Sequence, residues 1–381
     1  MPVIESPPGA ETVIDGRRYL YFAGTGYLGL QGHPEVIRAA CEATERYGIA
    51  SATTRAGFGD TPPTLDVERQ AARFFGTDDA FYFMSGYVGS EILARFTENT
   101  VDAVFVDECS HYSVVDAAHR LGKPVHVFDH ADAEALAGEL RNKLPPGGRP
   151  LVMSDGDFSA RGTIAPVAEY REMLGRYPGS ILMLDDAHAL GVLGESGRGT
   201  FEHAGLWPLG VNVGVPGHGK PDSPPCLLLS GTLSKALGGF GGIIPGTRAV
   251  IDRIKSTSPY FAGASAPPIP AAAASARALE LVIEQPKMRT RLWANVRTLK
   301  SGLRRMGLDV DDTPVPIISL TLGTADAMRR IQRELAQRGI MIAYLPTYSG
   351  LGPEGALRLA VFSTHTGGMI TRLLDELRQL V

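Results

Sequence analysis

A lysine in an unusual setting is the first feature of this 381-residue sequence that indicates chemistry. Lys235 follows an apolar run and is flanked by two hydroxyl residues, Thr232 and Ser234, and then by glycines. Lysine resists full burial, and an amine beside small and hydroxyl residues suits the formation of a Schiff base close to an anion. When the segment is taken alone, a lysine whose amine extends to the surface fits it equally well.

A carboxylate and a histidine close another apolar run. Asp185 follows the run 181–184, and His188 comes three residues later. An aspartate at the end of a buried strand can keep a pyridinium nitrogen protonated, so that a pyridoxal ring accepts electrons, and the histidine can reach the phenolic oxygen of that ring. The pair alone is weakly specific, because acidic residues at strand ends are often helix N-caps, and Asp186 is a candidate for that role.

Two further groups of polar residues also follow apolar runs. Ser85, Gly86 and Tyr87 stand between a strand pattern and a helix pattern, where backbone amides and the Ser85 hydroxyl can bind a phosphate group. His111 follows the run 103–106 and can stack on a ring, although a lone histidine is more often an ordinary loop residue. Parallel sheets bind ligands at the carboxyl ends of their strands. Because all these groups follow strands, the sequence predicts one pyridoxal phosphate site.

Two glycine-rich segments resemble phosphate-binding motifs without meeting their requirements. Residues 24–29 match the GxGxxG dinucleotide fingerprint, but residues 30–34 interrupt any helix directly after them. Residues 214–220 resemble a P-loop, but Pro221 stands where a serine or threonine binds magnesium. The nine histidines show no helical pairing of the metal-ligand type. The sequence thus predicts an exposed loop at 214–220, with neither a dinucleotide site nor a metal site.

The elements that must position these groups alternate between about residues 78 and 245. Short apolar runs separated by amphipathic stretches predict a mostly parallel sheet whose strands are joined by helical crossovers. The predicted strands span 80–83, 103–106, 125–128, 151–154, 181–184 and 227–229, and the predicted helices include 114–121, 133–144 and 167–176.

The pattern changes after about residue 250. Helices are predicted at about 268–284, 287–306, 325–338 and 368–380, with strands near 317–322, 341–345 and 357–362. The start of the chain predicts an arm with a short helix from Pro34 onward. The predicted fold class is α/β, with an N-terminal arm (1–40), a large, mostly parallel-sheet domain that binds pyridoxal phosphate (41–250) and a smaller α+β C-terminal domain (251–381).

Composition narrows the classes of protein. Hydrophobic residues make up 44% of the chain and charged residues 20%, and the net charge is −4, from 37 Lys+Arg and 41 Asp+Glu. This is a globular balance, and it is not basic enough for a nucleic-acid-binding protein. The three widely spaced cysteines exclude a disulfide scaffold and a cysteine-rich zinc site. With no signal-peptide pattern and no apolar run of ~20 residues, the prediction is a cytoplasmic protein without nucleic-acid or membrane partners.

The longest specific motif resembles that of a known family. Residues 185–199 read DDAHALGVLGESGRG, close to the DEAHxxGxxGxxGRG of the α-oxoamine synthases, and residues 232–238 read TLSKALG, similar to that family's Schiff-base lysine motif. Matching pieces run from Tyr27 nearly to the C-terminus. The resemblance implies a transferase that depends on pyridoxal 5'-phosphate and has the aspartate-aminotransferase fold, known as fold type I.

The resemblance also implies roles for the candidate residues. Lys235 would be the Schiff-base lysine, and Arg358 would bind the substrate carboxylate, for which a guanidinium has the right bidentate geometry. Asp185 would pair with the pyridine nitrogen, and His188 and Ser159 with the ring oxygen. The implied catalytic residues are Lys235, His111, Asp185 and His188, and the implied cofactor-binding residues are Ser85, Gly86, Tyr87, His111, Ser159, Asp185, His188, Thr232, Ser234 and Lys235.

The reaction implied by the resemblance joins a small amino acid (glycine, alanine or serine) to an acyl thioester on coenzyme A or an acyl carrier protein. It would proceed with loss of CO2 to an α-aminoketone, in a homodimer with active sites at the subunit boundary. Another carbanion reaction of the same cofactor, transamination or an aldolase-like cleavage, uses nearly the same residues and is the alternative. A non-catalytic binding protein on the same fold is the third possibility.

Several positions depart from the family pattern. The family usually has asparagine soon after the Ser85 turn, where this chain reads Tyr87-Val-Gly-Ser-Glu, and Thr64 stands where the family has histidine. The run Ala262-Gly-Ala-Ser265 stands where the family has a serine or threonine just after Phe261, and residues 210–225 resemble an enlarged loop. Since the cofactor residues are all retained, the sequence specifies the cofactor more closely than the acyl donor.

Overall fold

The computed structural model describes residues 2–208, 224–348 and 350–381. Its N-terminal segment contains β1 (Glu11–Ile14), β2 (Arg17–Tyr21), α1 (Pro34–Tyr47) and α2 (Pro62–Phe75). Both helices begin with a proline, whose fixed φ suits a first helical turn that needs no N–H donor there. The helix predicted from Pro34 is confirmed, and the two short strands before it were not predicted from the sequence.

A seven-stranded sheet forms the centre of the molecule. Its seven strands are β3 (Asp79–Phe83), β4 (Ala103–Asp107), β5 (Val125–Phe128), β6 (Pro150–Asp155), β9 (Ile181–Asp185), β10 (Cys226–Thr232) and β11 (Gly242–Gly246). Between β6 and β9 in the sequence, a separate hairpin is formed by β7 (Asp157–Phe158) and β8 (Thr163–Ile164). The spatial order is β3-β11-β10-β9-β6-β4-β5. Strand β11 is antiparallel to both of its neighbours, and the other pairings are parallel.

Helices cover this sheet, as a parallel sheet requires. They are α3 (Gly89–Thr97), α4 (Tyr112–Arg120), α5 (Ala133–Lys143), α6 (Val167–Leu174) and α7 (Thr200–His203). Every residue of β4, β6 and β9 is buried, so these central strands are enclosed on both faces. The predicted mostly parallel α/β fold and its six predicted strands are confirmed. Strand β11 was missed because its sequence, GIIPG, contains glycine and proline, which are depleted in strands.

The C-terminal part of the chain combines helices with a second, smaller sheet. Its elements are α8 (Arg248–Thr257), α9 (Pro259–Ala262), α10 (Ile269–Glu284), α11 (Lys287–Arg305), β12 (Ile317–Leu320), α12 (Ala325–Gln337), β13 (Ile340–Met341), β14 (Ala343–Leu345), β15 (Ala356–Ala360) and α13 (Gly367–Arg378). Strands β12 and β14 flank β15 in an antiparallel sheet. None of the described helices has both the length and the apolar character needed to cross a membrane.

The single strand predicted at 341–345 is wrong, because two sheets share this segment. Residues 340–341 form β13 and pair with β2, whereas residues 343–345 form β14 and pair with β15. The pairing of β13 with β2 ties the last third of the chain to its first residues. The domain boundaries at residues 40 and 250 stay predictions.

A buried ion pair closes the outer edge of the large sheet at β3. Arg55 Nη1 lies 2.6 Å from Glu68 Oε1, and the two residues are 5% and 4% exposed. Glu68 Oε1 accepts the Tyr82 N–H at 2.9 Å, and Arg55 Nη1 donates to the Tyr82 carbonyl at 2.9 Å. Burial raises the pKa of Glu68, but bonds from Arg55 and the charge of Lys255 outweigh it and hold that pKa below its usual range. The pair therefore satisfies the free backbone edge of a strand that leads directly to Ser85.

Substitution of Glu68 by alanine tests this role. Glu68→Ala leaves the Arg55 guanidinium buried without its main partner, so we expect the free energy of unfolding to fall by about 3 kcal/mol or more. The control is Glu42→Ala on α1, whose carboxylate is 71% exposed and 4.0 Å from Arg38, and which we expect to change stability by less than about 0.5 kcal/mol. Urea denaturation followed by circular dichroism measures both, and equal stabilities for the two variants would contradict the assignment.

Candidate active site

A cavity of about 180 Å³ lies at the carboxyl ends of the parallel strands. The segments that follow β3, β4, β6, β9 and β10 all contribute side chains to its wall. Every residue predicted to bind the cofactor lines it, namely Ser85, Gly86, Tyr87, His111, Ser159, Asp185, His188, Thr232, Ser234 and Lys235. The structure thus brings together groups that are up to 150 residues apart in the sequence, Ser85 and Lys235 being the first and last.

Lys235 lies on the cavity wall just after β10. Its carbonyl accepts a hydrogen bond from Gln31 Nε2 at 2.6 Å, which fixes the backbone of the loop. Burial lowers the pKa of the Lys235 amine to about 8, although the carboxylates of Asp185 and Asp155 act in the opposite direction. An ordinary lysine has a pKa of about 10.4. The Lys235 amine is therefore far more often neutral near pH 7, which is the form that attacks a carbonyl or accepts a proton.

Asp185 ends β9 and is 8% exposed. The Ala187 N–H donates to Oδ1 at 3.0 Å, and the Ser113 hydroxyl donates to Oδ2 at 3.4 Å. Burial raises the pKa of this carboxyl, against the charges of Lys235 and His111. A carboxylate with so little water around it gains strongly from a cationic partner, so Asp185 is suited to hold a protonated ring nitrogen.

His188 is kept neutral and is oriented by Tyr27. Burial, together with the charges of Lys235 and Arg358, lowers the pKa of His188 well below its usual value. The fully buried Tyr27 hydroxyl lies 2.7 Å from His188 Nδ1, and the nearby Arg358 guanidinium acts to lower the pKa of Tyr27 against the effect of burial. In the tautomer with the His188 ring proton on Nε2, the Tyr27 hydroxyl donates to Nδ1, and Nε2 can donate to an oxygen in the cavity.

His111 is held on the cavity wall as the N-cap of α4. Its backbone N–H donates to both carboxylate oxygens of Asp155 at 3.2 Å, and its Nδ1 lies 2.7 Å from the Ser113 hydroxyl. Burial lowers the pKa of His111. The rings of Tyr87 and Tyr348 lie 6.0 and 6.2 Å from the imidazole, centre to centre. This fixed, mainly neutral ring can pack against the face of a flat ligand.

The turn after β3 approaches β10 more closely than a side chain would permit. A β-carbon on Gly86 would lie 2.7 Å from Thr232 Cβ and 2.9 Å from its Oγ1. The Thr232 hydroxyl donates to the Gly241 carbonyl at 2.9 Å, so it is not free to move aside. Ser85 caps the short turn and accepts the Tyr87 N–H at 3.3 Å. Glycine is therefore required where the backbone of this turn lines the cavity.

The last glycine of the 185–199 motif, Gly199, follows from the packing around Asp186. Its two oxygens accept the N–H and the hydroxyl of Thr200, each at 2.7 Å. A β-carbon on either Gly156 or Gly199 would overlap the Asp186 carboxylate. Burial raises the pKa of Asp186 to about 7. Asp186 thus ties its loop to the first residue of α7, rather than capping a helix that directly follows it in sequence.

Arg358 reaches this region from β15 in the smaller sheet. Its Nε donates to the Ser159 carbonyl at 3.0 Å, and the Ser159 hydroxyl donates to the Tyr348 hydroxyl at 3.3 Å. Through Tyr27 the guanidinium also connects to His188. Arg358 is half-buried, and its Nε is held by the Ser159 carbonyl, so its guanidinium is able to bind a carboxylate that enters beside His188.

Several residues of the cavity region were missed by the sequence analysis. Asp155 ends β6 just as Asp185 ends β9, so the same rule of a carboxylate at a strand end could have found it. Asp157 lines the cavity two residues later. Tyr27 and Tyr348 come from loops far apart in the chain, and no local pattern in the sequence connects either loop to the cavity.

The remaining sequence predictions fall on other parts of the chain. The segment 214–220 lies outside the described residues, so the loop predicted there stays a prediction. The ligand atoms of Asp107, Cys109 and His130 lie within 4.8 Å of one another. The Asp107 carboxylate, however, already accepts backbone N–H groups of Cys109 at 2.8 Å and Ala131 at 2.7 Å, which is the role of a structural turn. The absence of a metal site stays a prediction.

Comparison with known proteins agrees with this architecture. The aminotransferase class I and II family matches residues 20–377. The chain is 33% identical to an 8-amino-7-oxononanoate synthase of Methylococcus capsulatus, covering 100% of this chain and 93% of that protein, and 33% identical to one of Nitrosococcus oceani, covering 100% and 96%.

Solved structures show the same fold. A serine palmitoyltransferase variant from S. paucimobilis, with a bound PLP-myriocin aldimine, matches with a TM-score of 0.89 at 24% identity, covering 100% of this chain and 92% of that one. An 8-amino-7-oxononanoate synthase from Francisella tularensis matches with a TM-score of 0.77 at 21% identity, covering 95% and 97%. The family resemblance seen in the sequence is confirmed: the chain belongs to the aminotransferase class I and II family and, among the pyridoxal-phosphate-dependent enzymes of that family, to the α-oxoamine synthases.

Proposed function

We propose that this enzyme condenses a small amino acid with an acyl thioester, with loss of CO2, to give an α-aminoketone. The observation that carries the proposal is one cavity in which the Lys235 amine, the Asp185 carboxylate and His188 lie together, with Arg358 beside them. Relatives that cover the whole chain and are named 8-amino-7-oxononanoate synthase support the same class of reaction. Coenzyme A or an acyl carrier protein would carry the acyl group.

The cavity residues fit pyridoxal phosphate. Ser85, Gly86 and Thr232 line the cavity together, so a phosphate group could bind there against the backbone of the turn. Asp185 would hold the ring nitrogen, and His188 would donate from Nε2 to the ring oxygen together with Ser159. When bound, pyridoxal phosphate supplies an electron-accepting ring that stabilises a carbanion at the α-carbon of an amino acid.

The chain's own residues then bind the amino acid and move its proton. Arg358 binds the α-carboxylate through parallel hydrogen bonds and so orients the α-carbon. The Lys235 amine, which its pKa of about 8 keeps partly neutral, removes the α-proton. His111, on the cavity wall, would pack against the cofactor ring, and it would donate a hydrogen bond to the thioester carbonyl, which makes that carbon easier to attack.

Exposed apolar side chains at the mouth of the cavity support a homodimer. Met84, Tyr87 and Phe240 line the cavity, yet they expose 37%, 48% and 48% of their surfaces. Apolar groups at the edge of an active site favour a partner that covers them. We therefore propose a second subunit at this boundary, and we propose the cytoplasm as the location on the basis of the sequence alone.

Product analysis tests the proposed reaction. Holoenzyme incubated with glycine, L-alanine or L-serine and a set of acyl-coenzyme A and acyl-carrier-protein thioesters should release free thiol and CO2 in equal amounts, with one amino acid preferred. Lys235→Ala should lower thiol release by at least about 10³-fold, because it removes the group that takes the α-proton. Keto-acid formation without thiol release would instead indicate an aminotransferase and would contradict the proposal.

The close approach at Gly86 predicts a loss of cofactor affinity. Gly86→Ala forces Thr232 or the turn to move, so we expect affinity for pyridoxal phosphate to fall about ten-fold or more. Gly138→Ala in α5, where a β-carbon would meet nothing within 4 Å, is the matched control and should leave the affinity unchanged. Fluorescence titration of the two apoproteins measures this, and equal affinities would show that the turn does not hold the phosphate.

The lowered pKa of Lys235 predicts how its reactivity depends on pH. Raising the pH deprotonates the amine, so in the apoprotein the rate at which Lys235 reacts with added pyridoxal phosphate should rise below pH 8 and level off above it. A lysine with a pKa of about 10.4 would still gain in rate between pH 9 and 10. Borohydride trapping followed by mass spectrometry measures the rate, with Lys235→Ala as the blank. A rise that continues through pH 10 would contradict the lowered pKa.

A further inference from the structure

One carboxylate in the cavity has no partner. Asp157 is 1% exposed and lines the cavity together with Lys235. Neither of its oxygens has a hydrogen-bond partner among the residues that the structure describes. An ionised carboxylate left in this state costs several kcal/mol, so buried carboxylates are normally paired. The cavity residue Asp157 thus offers two acceptor atoms that the protein itself does not use.

Asp157 stands between two other residues of the cavity wall. Asp155 at the end of β6, Asp157 at the start of β7 and Ser159 just after β7 all line the cavity, and the chain bends at Gly156 between the two strands. Gly156, between them, faces away, where a β-carbon would overlap the Asp186 carboxylate. Two of the three lining groups are already engaged, since Asp155 accepts a backbone N–H and Ser159 bonds a tyrosine hydroxyl. Asp157 is left as the acceptor for a ligand.

Arg358 is close to the segment that contains Asp157. The Ser159 carbonyl, two residues after Asp157, accepts a hydrogen bond from Arg358 Nε at 3.0 Å. Burial and the charge of Asp186 raise the pKa of Asp157 to about 7, against the charges of Arg358, Lys235 and Lys300. Asp157 is therefore a candidate to contact a substrate whose carboxylate is bound by Arg358.

We propose that Asp157 is a specificity-determining residue that selects an amino acid with a hydroxyl group on its side chain, such as L-serine, by accepting a hydrogen bond from that hydroxyl. This proposal rests on the proposed function and names the substrate class of the same site. Pairing with the hydroxyl relieves the cost of the unpartnered carboxylate, whereas L-alanine and glycine leave Asp157 as it is in the free enzyme and gain no affinity from it.

The size and charge of the site favour a hydroxyl over other donors. The cavity of about 180 Å³ would have to hold the cofactor as well as the amino acid, which favours a short side chain. An ammonium group would have to be desolvated near the cations Arg358 and Lys235, whereas a neutral hydroxyl costs much less to desolvate. A short neutral donor is therefore the ligand group that fits beside Asp157.

Amino-acid titrations of the holoenzyme test the proposal. The change in cofactor absorbance gives a dissociation constant for L-serine, L-alanine and glycine without any acyl donor. We expect wild type to bind L-serine at least about ten-fold more tightly than L-alanine. Asp157→Leu, of similar size, should lose that preference, because its affinity for L-serine falls while its affinity for L-alanine is unchanged. Asp157→Asn keeps one acceptor oxygen, so its preference for L-serine should lie between those of wild type and Asp157→Leu.

Two controls separate selection from a structural effect. Tyr170→Phe removes another buried polar atom that has no partner in the described structure, away from the cavity, and should leave the ratio of the two dissociation constants unchanged. Each variant is also titrated with pyridoxal phosphate and melted, so that only correctly folded holoenzymes are compared. If Asp157→Leu does not fold, the ratios of the L-serine and L-alanine dissociation constants in wild type and Asp157→Asn still test whether Asp157 selects the hydroxyl.

The outcomes distinguish this proposal from the proposed function. Equal affinity of wild type for L-serine and L-alanine, or an equal loss for both in Asp157→Asn, would overturn the role of Asp157 while leaving thioester condensation intact. An enzyme that prefers L-serine through Asp157, but releases no thiol from any acyl thioester, would retain the selectivity and overturn the proposed reaction.

Discussion

The burial of ionisable groups at the carboxyl edge of the central sheet is the constraint on which the rest of this structure depends. In water the Lys235 amine and the Asp185 carboxyl would both be charged, and neither would have special reactivity. Enclosed by helices and by the smaller sheet, the amine has a pKa of about 8, and the carboxyl has a raised pKa. Desolvation opposes charge on each group, so each is stabilised by a partner of the opposite sign. A cationic ring nitrogen would pair with the Asp185 carboxylate, and a carbonyl would react with the neutral Lys235 amine in the same cavity.

Holding such groups in place requires supports that are themselves unreactive. The Asp155 carboxylate anchors the backbone of His111, and the Tyr27 hydroxyl orients the ring of His188. At the β3 edge of the same sheet, the pair of Arg55 and Glu68 satisfies the backbone of the edge strand. Removing water from the reactive groups is possible only because these neighbours supply the hydrogen bonds that water would otherwise make.

The sequence was informative where a local pattern and a topological rule coincide. Apolar runs alternating with amphipathic stretches imply parallel strands, and a parallel sheet gathers the residues that follow its strands, which is why Lys235 and His111 were found. The sequence did not predict contacts between residues that lie far apart along the chain. Strand β13 joins β2 across the whole chain, and Tyr27 owes its place to contacts with His188 and Arg358. No window of the sequence contains both members of such a pair, so only the folded chain reveals them.

The cavity is divided between two sources of side chains. The groups suited to the cofactor follow β3, β4, β9 and β10, with Ser159 after β6, and the central strands β4 and β9 are buried along their whole length. The groups proposed for the substrate come from elsewhere: Arg358 from the smaller sheet and Asp157 from the hairpin after β6. The two sets meet at Ser159, whose carbonyl accepts a hydrogen bond from Arg358 Nε, so the cofactor side of the cavity is coupled to the smaller sheet. Under the proposed function, the choice of substrate would therefore depend on the hairpin and the smaller sheet, while the strand ends would hold the cofactor.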